Sequence, residues 1–154
     1  MLKVVSIAIL GLFLSTGCGT NIESIDYDSG DEAMDLKATL NIEEVGETMQ
    51  FELTLTNEGD EKVLVQFPSG QQFEITVRDE DQNIVYRYSD GKMFTMAIIS
   101  KEIKPKEKLV WTDTWEDAVP GTYTVTCELQ IMSINGESVD RDQFTVQKSV
   151  KFEK

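Results

Sequence analysis

Tyr123-Thr124-Val125-Thr126-Cys127-Glu128-Leu129-Gln130-Ile131 alternates apolar and polar residues without a break. A period of two places one set of side chains on each face of an extended chain, so this segment reads as a half-buried β-strand. The same alternation runs through Leu36, Ala38, Leu40 and Ile42, and through Met49, Phe51, Leu53 and Leu55. It returns at Phe73, Ile75 and Val77, and at Phe144, Val146, Val150 and Phe152. Shorter apolar runs at 63–67, 84–88, 96–99 and 109–111 fill the gaps between them. Turn sequences separate the runs: Asn57-Glu58-Gly59-Asp60, Pro68-Ser69-Gly70, Ser89-Asp90-Gly91, Pro120-Gly121 and Asn135-Gly136. Many short strands with polar outer faces and no long helical pattern predict an all-β domain of two packed antiparallel sheets. An immunoglobulin-like β-sandwich over residues 36–154 is the expected fold and a barrel the alternative.

Upstream of the strands the chain changes character twice. Residues 1–17 carry one basic residue, Lys3, then an apolar stretch over 4–14, then Leu14-Ser15-Thr16-Gly17 before Cys18. That pattern reads as a bacterial lipoprotein signal peptide, with Ser15 where leucine is usual, and it predicts lipid attachment at Cys18. The apolar stretch is too short to span a bilayer, which takes roughly 20 residues. The expected location is therefore extracytoplasmic, held to the cell membrane by the lipid alone. Residues 18–35 hold six acidic residues after the cysteine and little apolar periodicity, as expected of a flexible acidic tether. Asp26, Asp28 and Asp31 there lack the glycine register and closing glutamate of a calcium loop.

Composition excludes several function classes. The 154 residues contain no histidine, which removes histidine-based triads and histidine-ligated zinc. A net charge of −14 repels phosphate backbones, so nucleic acid is not an expected partner. Cys18 and Cys127 are the only cysteines, so once Cys18 is lipidated no intrachain disulfide remains. Cys127 shares a face with Val125 and Leu129 and reads as a small buried hydrophobe rather than a nucleophile. No catalytic residue, metal ligand or cofactor site is read. Asp79-Glu80-Asp81-Gln82-Asn83 places oxygens at alternate positions, with Asp90 at a twelfth. Ile84 stands where a calcium loop needs glycine, so a polar hairpin turn is expected.

The segment from about 51 to 129 resembles the BsuPI-type intracellular proteinase inhibitor family. The matching residues are Asn57-Glu58-Gly59-Asp60, then Phe67-Pro68-Ser69-Gly70-Gln71-Gln72-Phe73. They continue with Val85-Tyr86-Arg87-Tyr88-Ser89-Asp90-Gly91-Lys92-Met93-Phe94-Thr95, Trp115 and Pro120-Gly121-Thr122-Tyr123. Pro105-Lys106-Glu107 stands where the family carries Pro-Gly-Glu. The resemblance implies a small β-sandwich without catalytic activity, and for the founding members inhibition of serine proteases inside the cell. It also marks Ser69, Gly70, Gln71, Ser89, Asp90, Gly91, Lys92 and Phe94 as candidate partner-binding residues. Two readings of these residues stand side by side. Turn chemistry explains their types, with Phe73, Tyr86, Tyr88, Phe94 and Trp115 filling the core. Alternatively, the two turns lie together and present a rigid, partly aromatic edge to a protease cleft. Three functions follow: a protease inhibitor, an immunoglobulin-like scaffold module of the cell envelope, or a weak ligand or calcium binder using the acidic loops.

Overall fold

The computed structural model describes residues 35–153. The signal peptide, Cys18 and nearly all of the expected tether lie outside the described residues. Within them the chain forms eleven antiparallel strands and one short 3-10 turn. These are β1 (Leu36–Val45), β2 (Thr48–Asn57), β3 (Val63–Phe67), β4 (Phe73–Arg78), β5 (Ile84–Arg87) and β6 (Ile99–Ile103). They continue with β7 (Lys108–Trp115), β8 (Gly121–Leu129), β9 (Ser133–Ile134), β10 (Glu137–Ser138), the turn Arg141–Phe144 and β11 (Thr145–Phe152).

The fold is the immunoglobulin-like antiparallel β-sandwich that the alternation predicts, with one layer subdivided. Strands pair in the orders β1-β2-β7, β10-β9-β3-β6 and β11-β8-β4-β5. The second and third sets share a layer, because β3 runs on into β4 and β8 runs on into β9. Their ladder is interrupted where Pro68, lacking an N–H, follows β3. Two bonds still cross the break, from Gln130 N to Gln72 O at 2.8 Å and from Met132 N to Gln66 O at 2.8 Å.

The core lies between the layers and follows the alternation closely. On β2, Met49, Phe51, Leu53 and Leu55 are fully buried, facing Ile75, Val77, Val125, Cys127 and Leu129 from the opposite layer. Burying each large apolar side chain contributes roughly 1.5–3 kcal/mol. Aromatic contacts join the layers, with Phe67 edge-on to Trp111 and Trp115 edge-on to Tyr123. Cys127 is a buried free thiol, as its register predicts, and burial pushes its pKa up to about 12.

Two strand expectations shift. The apolar run at 96–99 is not a strand; Met96 and Ile98 lie exposed in a loop, and the strand spans Ile99–Ile103. Its sequence is hard to read as a strand because Lys101 occupies an inward phase between Ile99 and Ile103. Phe144 ends the 3-10 turn instead of opening the last strand, although it is buried as expected. The 79–83 segment is the expected hairpin turn. Asp79 accepts from Asn83 N at 2.8 Å and Asn83 Nδ2 at 3.2 Å, one bond to each carboxylate oxygen.

Candidate functional site

β5 and β7 are edge strands of opposite layers on the same side of the sandwich. Asp113 sits on β7 in the phase of Leu109, Trp111 and Trp115, so its carboxylate points toward the other layer. The Tyr86 hydroxyl on β5 donates to Asp113 Oδ2 and approaches Thr114 O at 3.5 Å, latching the two edges together. Burial, then the bond to Asp113, push the Tyr86 pKa upward, so the phenol stays protonated. Phe51 and Trp115 stack on Tyr86 at 6.0 and 5.8 Å between centroids.

Beyond β5, Tyr88 N still donates to Ile75 O on β4 at 2.9 Å, and the chain that follows leaves the sheet and packs against the Pro68-Ser69-Gly70-Gln71 turn. Gly70 N donates to Thr95 O at 2.8 Å. A Cβ on Gly70 would stand 2.6 Å from Thr95 Oγ1 and 3.2 Å from Thr95 N, so glycine permits this approach. Ser69 Oγ accepts from Gln71 N at 3.2 Å, which shapes the turn. Glu74 ties both segments to β4, accepting from Gln71 Nε2 at 3.0 Å and from Ser89 N at 3.1 Å. Aromatic packing continues the bracing, with Phe73 on Tyr88 at 4.1 Å and Tyr88 against Phe94 at 5.9 Å.

The eight residues marked by the family resemblance thus come together, and most of them face the scaffold. Ser69, Gly70, Gln71, Ser89 and Phe94 are half-buried. Lys92 bonds Asp113 Oδ1 at 3.4 Å and lies 3.5 Å above the Tyr88 ring. Asp90 and Gly91 are exposed at the turn tip, where Gly91 takes φ 71°. The side chains that project furthest are Met93, 98% exposed, and Met96, 92% exposed, with Ile98 at 61%. Sequence reasoning gave none of these a role: Met96 and Ile98 lie in an apolar run that reads as core, and Met93 stood only within the family match. It also passed over Glu74 and Asp113, and gave Thr95 no role beyond its place in the family match. Asp113 had a legible signal, an acid in the inward phase of an otherwise apolar strand. Glu74 had none, since its role depends on which loops meet, and the family match marked Thr95 without showing what it touches.

The other family motifs serve the frame. Asn57 is fully buried, and its Nδ2 donates to Glu61 O at 2.7 Å and Ile103 O at 3.0 Å. Its Oδ1 accepts from Gly59 N at 3.0 Å, and its backbone exchanges bonds with Glu107 O and Lys106 N. Lys106, where the family has glycine, adopts φ 63° and keeps the turn.

Among solved structures the chain is similar to the putative ApaA protein of Bordetella pertussis, at 13% identity and TM-score 0.44, covering 77% of this chain and 89% of that one. It is also similar to the CARDB domain of the PF1109 protein of Pyrococcus furiosus, solved with di-metal ions, at 17% identity, TM-score 0.41 and coverage of 82% and 97%. The yjhA protein of Bacillus subtilis gives 15% identity, TM-score 0.42 and coverage of 77% and 92%. These are loose likenesses. No curated protein matches the sequence. The family model described as intracellular proteinase inhibitor matches residues 36–134, from β1 through β9. With most of the sandwich inside that match, this chain belongs to the BsuPI proteinase inhibitor family.

Proposed function

We propose that this protein is a lipid-anchored, extracytoplasmic inhibitor that binds a serine protease through the 68–71 and 88–98 loops and blocks it by occlusion, without chemistry. The observation that carries the reading is the braced loop, in which Met93 and Met96 project from a segment tied to Glu74, Gly70, Tyr88 and Asp113. A loop already held in place loses little conformational entropy on binding, so contact energy converts efficiently into affinity. Family membership supports a protease as partner. The Leu14-Ser15-Thr16-Gly17-Cys18 sequence supports the anchor and an address different from that of the founding members.

Two measurements test the two halves. The full-length chain in mild detergent is titrated against subtilisin-like and chymotrypsin-like proteases; no inhibition at high micromolar concentration by folded protein ends the inhibitor reading in favour of the scaffold module. Fatty-acid labelling in cells compares wild type with Cys18→Ala. Label kept by the variant would end the lipid-anchor reading.

A further inference from the structure

We propose that Met93 is the residue that enters the primary specificity pocket of the protease, and that the enzymes blocked are those whose primary pocket is a hydrophobic slot. This deepens the inhibitor reading and rests on it.

The loop is held on each side of Met93. On one side, Lys92 N donates to Ser89 O at 3.1 Å while its ammonium is engaged by Asp113 and the Tyr88 ring. On the other, Phe94 packs against Tyr88, and Thr95 O accepts from Gly70 N. Between these anchors Met93 is 98% exposed. Residues 92–96 run without turn, bend or helix. Among the described residues, the N–H and C=O of Met93 make no hydrogen bond. A protease cleft takes up its peptide as an added extended strand, pairing main-chain groups and sorting side chains into pockets. An anchored segment free of turn and helix, with a projecting Met93 side chain and unspent main-chain groups at that residue, is open to such pairing.

The chemistry of the side chain then selects the pocket. Serine protease primary pockets range from an acid-floored slot for cations, through a hydrophobic slot, to a shallow site for small residues. Methionine is long, flexible and apolar, so it fills the hydrophobic slot and suits neither of the others. Lys92 could not serve an acid-floored pocket without abandoning Asp113 and Tyr88. Met96, three residues on and 92% exposed, is placed for a secondary contact.

The test titrates the full-length chain against chymotrypsin, trypsin and elastase. Wild type is expected to inhibit chymotrypsin at least about tenfold better than the other two, a difference of the size that one pocket contact supplies. Met93→Asp weakens chymotrypsin inhibition about tenfold or more, and Met93→Lys moves the preference toward trypsin. Melting temperatures stay unchanged because the side chain touches nothing it could destabilise. Inhibition insensitive to Met93→Asp, or lost instead on Met96→Asp, overturns the assignment of Met93 while leaving the inhibitor reading in place. Failure of folded wild type against all three enzymes and against subtilisin overturns both.

Discussion

Truncating Asn57 to alanine tests whether a family motif residue acts as a structural bolt. The side chain makes three hydrogen bonds, to Glu61 O, Ile103 O and Gly59 N, and it is fully buried. Glu61 is exposed, so water replaces its partner. Gly59 N is buried and left unsatisfied at about 1–3 kcal/mol, while Ile103 O, kept in the ladder by its pairing with Val63, loses one bond worth about 0.5–1.5 kcal/mol. The expected loss is therefore about 2–4 kcal/mol, a large part of a typical domain's stability. At about 4 °C per kcal/mol for a domain of this size, the melting temperature falls about 8–16 °C. Urea unfolding of the full-length chain reads the same loss as a midpoint about 1–2 M lower with an unchanged slope. Asn57→Asp provides the control: it keeps an acceptor for Gly59 N but turns a carboxylate oxygen toward two carbonyls. That variant is at least as unstable at neutral pH, and its gap to wild type narrows as the pH falls and the carboxyl gains a proton. A loss below about 1 kcal/mol for Asn57→Ala would refute the idea that this side chain joins β2 to β6.

Lys106→Gly should stabilise the domain by about 0.5–1 kcal/mol, since it relieves a left-handed lysine at φ 63° and gives up only exposed contacts, an ion pair to Asp60 and the Nζ bond to Glu58 O; a lower melting temperature would count against the strain. The Cys127 thiol, raised from 9.0 to about 12 by burial and then by Asp113 and Glu74, keeps its proton in the fold after the unfolded chain has lost it. Stability should therefore fall as pH rises above about 9, by at most about 1.4 kcal/mol per unit, and Cys127→Ala should remove that slope between pH 9 and 10. Rapid reaction of the native thiol with a maleimide would contradict its burial. Gly70→Ala should push Thr95 away and weaken protease inhibition about tenfold or more at a stability cost near 1 kcal/mol; unchanged inhibition and unchanged amide protection at residue 70 would show that the Gly70 N to Thr95 O bond does not hold the loop.

Local sequence determined the inward face of nearly every strand. The two-residue period of Met49, Phe51, Leu53 and Leu55, or of Tyr123, Val125, Cys127 and Leu129, has one solution in a half-buried sheet, because a one-residue slip would turn the apolar set to solvent. The Asn135-Gly136 hairpin was equally legible, and both residues take the positive φ that its turn requires. Gly91 was legible for the same reason. What tertiary structure decided was which of the remaining apolar residues stay outside, and which turns meet. Met96 and Ile98 look like core in sequence, and only the docking of Thr95 on Gly70 shows that the chain there runs over the surface. Asp113 and Tyr86 lie 27 positions apart on strands of different layers, and Glu74 reaches two loops that no local pattern connects. Strand periodicity is a property of neighbours along the chain. The candidate site depends on contacts across layers and between loops, which form only once the sandwich has closed.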